Sequence, residues 1–243
     1  MTTTELAIIM PVFKEGEAVV PVIRALERDV RTAHEILVVY DFDEDPTVPV
    51  IARIAAEIPT VRGYRNDLGR GVLNAMKAGI AESSAPYVLI TMSDGSDEPH
   101  IVDSMVELAR SGADVVAASR YMPGGGQIGG PRLKRWMSRI AGLTLHWFAR
   151  VPTHDPTNNF KVYSRRFLDS VTIESQAGFE LALELTVKAS LAGCRVAEVP
   201  TTWRDRTAGQ SNFKLRKWLP QYLRWYWRAF SGRWRGAGAQ SRE

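Results

Sequence analysis

The chain lacks most of what marks a secreted, membrane-spanning or fibrous protein. It holds one cysteine, Cys194, so it forms no intrachain disulfide and no cysteine metal cluster. A lone thiol fits a reducing compartment. No stretch reaches the roughly 18 uncharged apolar residues that a spanning helix needs. The first apolar run, residues 6–13, is too short for a secretory signal and has no basic residue before it. No repeat of fixed period appears, and glycine (19) and proline (13) are near average, which excludes collagen-like and low-complexity chains. The sequence has no P-loop and no G-x-G-x-x-G fingerprint. Its four histidines (34, 100, 146 and 154) show no ligand spacing, and no Ser/His/Asp nucleophile set stands out.

What is present is a globular chain of 243 residues, 45% hydrophobic and 24% charged, long enough for one large domain or one domain with an appendage. The net charge of +4 hides an asymmetry. Residues 214–243 hold eight basic residues and one acid, so the remaining body is slightly acidic. A basic tail points to a polyanion, either a nucleic acid or an anionic membrane.

The first half alternates short apolar strands (6–11, 35–40, 61–65, 87–92 and 114–119) with helical patterns (17–30, 47–57, 71–82 and 101–111). This βαβα rhythm predicts an α/β fold with a mostly parallel sheet covered on both faces. Ligands bind such sheets at the carboxyl ends of the strands. Those ends here carry Pro11–Glu15, Asp41–Asp45, Ser93–Glu98 and Ser119–Tyr121. Crowded carboxylates repel unless a cation or a donor-rich ligand sits among them. Asp94, Asp97 and Glu98 offer oxygen ligands to a hard dication, or form a capped turn before the next helix. Gly69-Arg70-Gly71 precedes a helix and offers N–H groups to a phosphate.

The second half starts with a glycine-rich loop, 124–130. It continues with a helix over 133–150, a polar turn over 155–161, a helix over 179–192, a strand over 195–200 and an irregular stretch over 204–214. No second domain is evident. The expected organisation is a body over 1–213 and an amphipathic tail over 214–243. In the helical pattern of 217–235, Lys217, Arg224, Arg228 and Arg235 fall within about 40° of arc. Trp218, Leu219, Tyr222, Leu223, Trp225, Tyr226, Ala229 and Phe230 cover the other side. Such a helix lies in a membrane interface, or packs on the body with its arginine stems snorkelling.

The order of motifs resembles inverting family 2 glycosyltransferases of the GT-A fold, in the dolichol-phosphate mannosyltransferase-like branch. Pro11-Val12-Phe13-Lys14-Glu15 resembles P-x-Y-N-E, and Val39-Tyr40-Asp41-Phe42-Asp43-Glu44-Asp45-Pro46-Thr47 resembles V-D-D-x-S-x-D-G-T. Asn66-Asp67-Leu68-Gly69-Arg70-Gly71 resembles N-x-G-x-G, and Ser119-Arg120-Tyr121-Met122-Pro123-Gly124-Gly125 matches S-R-Y-x-x-G-G. Asp155-Pro156-Thr157-Asn158-Asn159-Phe160-Lys161 resembles D-P-T-S-G-F-R. Glu198-Val199-Pro200, then Asp205, Arg206, Gly209 and Ser211, resemble E-V-P-x-x-x-x-D-R-x-x-G-x-S-K. Two departures stand out. Tyr40 replaces the first acid of its pair. In the metal motif D-x-D-x-Q-x-P, Ser93 and Gly95 replace the aspartates, leaving Asp94 and Asp97 as the nearest carboxylates.

The resemblance implies a nucleotide-sugar donor, GDP- or UDP-linked, with Pro11, Phe13, Glu15 and Asp41 on base and ribose and Gly69 and Gly71 completing the pocket. It implies a divalent cation, Mg²⁺ or Mn²⁺, on Asp94 and Asp97 at the diphosphate, with Arg206 and Lys214 as further cations and Arg204 as an outside choice. It implies a polyprenyl or dolichyl phosphate acceptor held by Arg120, Arg135, Ser138 and Arg139. The catalytic set is then Asp94, Asp97, Arg120 and Arg206, working peripherally on the cytoplasmic membrane face. The rival expectations are another acceptor on the same fold, a non-catalytic nucleotide-binding membrane adaptor, and nucleic acid binding through the tail.

Overall fold

The computed structural model describes residues 4–176, 178, 180–205 and 215–239, with side chains of the last segment described over 219–231. In chain order the elements are β1 (Leu6–Pro11), α1 (Val19–Asp29), β2 (His34–Tyr40), α2 (Thr47–Glu57), β3 (Val61–Arg65), α3 (Val72–Glu82), β4 (Tyr87–Ile90), α4 (Val102–Arg110) and β5 (Val115–Ser119). Then follow β6 (Gly126–Ile128), α5 (Arg132–Ala149), β7 (Lys161–Ser164), α6 (Arg165–Ser170), α7 (Leu181–Leu191), β8 (Val196–Pro200), β9 (Thr202–Arg204) and α8 (Leu215–Ala239).

Seven strands form one sheet in the order β3-β2-β1-β4-β7-β5-β8, and β6 pairs with β9 beside it. All six residues of β1 are buried, with no alternation, as a central strand covered on both faces requires. One face packs Ile23 and Leu26 of α1 and Met105 and Val106 of α4. The other packs Leu73, Met76 and Ile80 of α3 and Leu181 and Leu185 of α7. The sheet is mostly parallel, as expected, with β7 as the exception, lying antiparallel between β4 and β5. The residues read as a polar turn at 155–161 therefore end inside the sheet, where Lys161 pairs with Ile90 and Ala117.

The C-terminal helix is docked on the body. Trp225 is fully buried among Leu145 of α5, Leu183 and Val187 of α7, Val151 and Ala229. The cations of Lys188, Arg224 and Arg228 stand 4.9, 5.4 and 5.0 Å from the Trp225 ring centre. Glu174 receives all three, at 2.8, 2.8 and 3.2 Å. Part of the basic stripe thus meets protein rather than an outside polyanion. The helix also starts two residues earlier than its pattern suggested, so Pro220 sits beyond the first turn, where it leaves the carbonyl of residue 216 without its helical donor. Trp225→Ala is expected to cost about 3 kcal/mol, the usual scale for emptying a buried tryptophan site. Urea unfolding measures it, and an unchanged midpoint would contradict the docking of α8.

Candidate active site

The loops at the carboxyl rim of the sheet are clamped by short polar side chains. Buried Asp45 accepts the Lys14 N–H at 2.8 Å and the Thr47 hydroxyl at 2.6 Å. Thr47 Oγ1 in turn accepts the N–H groups of Glu15 and Gly16, both at 3.0 Å. The chain after β1 is thereby fixed, with Lys14 in the left-handed region at φ 58°. Pro11, Phe13 and Glu15 face the cleft. Phe13 meets Phe42 edge-on at 6.0 Å, and the Arg70 guanidinium lies 4.7 Å above Phe42.

Asp41 also lines the cleft, and both its oxygens hold the neighbouring loop. They accept Asn66 Nδ2 at 2.8 Å and the Gly71 N–H at 2.9 Å. The expectation that Gly71 offers its N–H to a phosphate is corrected here, because that donor already faces a carboxylate. Gly71 has φ 132°, a conformation open to glycine and strained for other residues. Gly69 is exposed and does not line the cleft; its carbonyl accepts from Asn66 and Asn74.

The acidic turn after β4 forms the floor. Asp94 Oδ1 accepts the Ser96 N–H at 3.1 Å. Asp97 Oδ2 accepts from the Thr91 hydroxyl at 3.0 Å and the Met92 N–H at 3.3 Å. Burial, and then the neighbouring charge of Asp94, push Asp97 up to about 7. Two carboxylates that repel each other in a cleft suit a hard dication that completes its shell with diphosphate and water oxygens. Among the described residues no third His, Cys, Asp or Glu joins them. Glu98 turns away, accepting the Thr202 N–H at 2.6 Å and the Thr201 hydroxyl at 3.2 Å.

Beyond this floor, Arg120 grips Asp155 with Nε at 2.6 Å and Nη2 at 2.9 Å, and donates its own N–H at 3.1 Å. Burial alone would raise the Asp155 carboxyl, but the Arg120 charge and hydrogen bonds hold it below its ordinary value. Arg120 Nη2 also reaches Ser138 Oγ at 3.3 Å and Thr157 Oγ1 at 3.4 Å, and those two hydroxyls lie 2.8 Å apart. Arg120, expected to hold a phosphate, is thus first the partner of Asp155. Arg135 and Ser138 line the cleft, whereas exposed Arg139 does not. Gly142 lets α5 approach this region, since a Cβ there would stand 2.2 Å from the His154 carbonyl oxygen. Arg204 is an exposed residue at the end of β9, and Arg206 and Lys214 lie outside the described residues.

One cleft of about 1160 Å³ joins these parts. It runs from Pro11, Phe13 and Asp41 across Asp94 and Asp97 to a groove between α5 and α8. Trp136, Ile140, Leu219, Tyr222, Leu223 and Tyr226 line that far end. One end is therefore polar and acidic, and the other is apolar and aromatic. Sequence reasoning missed Asp45, Thr47 and the partnership of Asp155. The first two lay in a quoted motif without a role, and the third joins positions 35 apart.

Residues 7–172 match the family described as glycosyl transferase family 2. The chain belongs to that family and is a glycosyltransferase with a GT-A fold. It is 28% identical to an undecaprenyl-phosphate mannosyltransferase of Micrococcus luteus, over 96% of this chain and 97% of that protein. It is 24% identical to a dolichol-phosphate mannosyltransferase of Pyrococcus furiosus, over 96% of this chain but only 65% of that longer protein. Its fold is similar to that of glucosyl-3-phosphoglycerate synthase of Mycobacterium tuberculosis, solved with Mn²⁺, UDP and glucosyl-3-phosphoglycerate. That likeness has a TM-score of 0.67 at 16% identity, covering 94% of this chain and 80% of that one.

Asp155→Asn leaves a buried guanidinium without its counter-charge, which costs about 3 kcal/mol or more. Arg120→Met in the same chain is expected to recover part of that loss in a denaturation cycle. Simple addition of the two losses would contradict the pair's coupling.

Proposed function

We propose that this glycosyltransferase moves a sugar from a GDP- or UDP-linked donor to a polyprenyl phosphate at the cytoplasmic face of a membrane. The observation that carries this reading is the single cleft with an acidic end and an aromatic, apolar end. A nucleoside diphosphate suits the first. A phosphate with a long hydrocarbon tail suits the second, where a small soluble acceptor would leave apolar walls uncovered. The two relatives carry mannosyltransferase names with lipid-phosphate acceptors, so mannose is the first sugar to test. The lone Cys194 thiol is in keeping with the cytoplasmic face.

Pro11, Phe13, Glu15 and Asp41 would hold base and ribose. Asp94 and Asp97 fit a divalent cation, the fold relative having been solved with Mn²⁺. When bound, it would offset charge on the departing diphosphate. Arg206 and Lys214 are further cations proposed for that charge. The acceptor phosphate is already an anion near neutral pH, its second pKa being about 6. Its oxygen attacks the anomeric carbon as the bond from that carbon to the diphosphate breaks. No proton moves in this step, so no general base is required. Arg135 and Ser138 would hold the acceptor phosphate, with Arg120 behind Ser138 and Arg139 nearer the headgroups.

Membrane contact is assigned to α5 together with the tail. Trp136, Trp147, Phe148 and Trp227 are 64%, 68%, 61% and 66% exposed, and Arg132, Arg135, Arg139 and Arg150 are exposed on and just after α5. Aromatic rings beside arginines favour the depth of lipid headgroups. No helix among the described residues is long and apolar enough to cross a membrane.

Two outcomes test this reading. Protons compete with a cation for Asp97, so the thermal shift caused by Mn²⁺ with nucleoside diphosphate is expected to grow as pH rises from 6 to 8. Asp97→Asn should remove both the shift and its pH dependence, and a shift indifferent to pH would contradict the assignment. Replacing Arg135 and Ser138 together by alanine is expected to raise the KM for undecaprenyl phosphate at least tenfold, about 1.4 kcal/mol, with donor KM unchanged. An unaltered acceptor KM would favour a different acceptor.

A further inference from the structure

Lys161 is a fully buried lysine, and among the described residues its amine forms hydrogen bonds to carbonyls and no ion pair. It opens β7, and because that strand runs antiparallel, Lys161 stands at the rim where β4 ends. Its Nζ donates to the Asp155 carbonyl at 3.1 Å and also to the Asn158 carbonyl. These carbonyls bracket one turn. From that turn Asp155 reaches Arg120, Thr157 reaches Ser138, and Asn158 Nδ2 reaches the Ala118 carbonyl at 3.0 Å. Thr157, Asn158 and Asn159 line the cleft at the mouth of its apolar end.

Burial pulls the Lys161 amine down to about 7, against the opposing pull of the Asp155 carboxylate. The hold on the turn survives that titration, because a neutral amine keeps two N–H donors for its two carbonyls. A buried amine is costly to keep unless it does something an apolar side chain would not. Here it satisfies two buried acceptors that a hydrocarbon would leave unanswered.

We propose that Lys161 is a positioning residue for the acceptor half of the site, a two-pronged clamp that fixes the turn 155–158 and so the place of Thr157 and Asn158 against the acceptor phosphate. It touches neither substrate. The donor half rests on separate clamps, Asp45 with Thr47 and Asp41 with Asn66, so the two halves are separable. The identity of the acceptor rests on the reading above, but the clamp itself does not.

The test uses the full chain with Lys161→Met and Lys161→Arg. Three quantities are read: GDP and UDP affinity with Mn²⁺, KM for undecaprenyl phosphate, and amide hydrogen exchange over 155–160. Lys161→Met is expected to leave nucleotide affinity within twofold, raise acceptor KM about tenfold and speed exchange over 155–160 but not over 12–16. Lys161→Arg, which restores the donors, should recover most of both effects. If Lys161→Met does not fold, Thr157→Val must reproduce the acceptor effect with nucleotide affinity intact. The proposal is overturned by unchanged exchange over 155–160, by an unmoved acceptor KM, or by nucleotide affinity falling as much as the acceptor KM rises. If the wild-type chain transfers nothing to undecaprenyl phosphate, the acceptor reading fails, while the exchange and nucleotide arms still decide the clamp.

Discussion

The buried pair of Arg120 and Asp155 is the interaction on which the geometry of the cleft depends. It ties the end of β5 to the loop that enters β7, and it neutralises two charges that a low-dielectric floor would not tolerate singly. Around it, the hydroxyls of Ser138 and Thr157 bring α5 to the same point. The close passage of Gly142 over the His154 carbonyl lets the helix come near enough. Once α5 is placed, its far side and α8 form the two walls of the apolar groove.

The donor end obeys a different rule. There two carboxylates accept backbone N–H groups and hold loops still. Asp45 and Asp41 are spent in this way. Asp94 and Asp97 accept such donors too, and both also line the cleft floor. Burial first, and then the charge of Asp94, raise Asp97, a condition that a bound cation would relieve.

Much of this was legible in the residues. Apolar runs without alternation read as buried strands, and motif order located the rim residues from Pro11 to Asp97. The antiparallel strand did not show itself, because it is only four residues long and starts at Lys161, the end of the stretch read as a polar turn. The docking of α8 was one of two open readings, and the sequence did not show its ion-pair partner. Its arginines look solvent-bound until Glu174, some 50 residues earlier, is seen to meet them. A pair distant in sequence leaves no periodicity, so Asp155 with Arg120 emerges only from the fold; Lys161 meets its two carbonyls within six residues, in a turn that no hydrophobic period marks. The shifted acidic motif was legible as a departure, and the turn brings Asp94 and Asp97 to one cleft.

The central claim is that one cleft joins a nucleotide sugar to a lipid phosphate. The most direct measurement incubates the purified chain with Mn²⁺, radiolabelled GDP-mannose or UDP-glucose, and either undecaprenyl phosphate in detergent or 3-phosphoglycerate. The account predicts label entering the organic phase with the lipid and none transferred to the soluble phosphate. Label appearing only in the water-soluble product would contradict it.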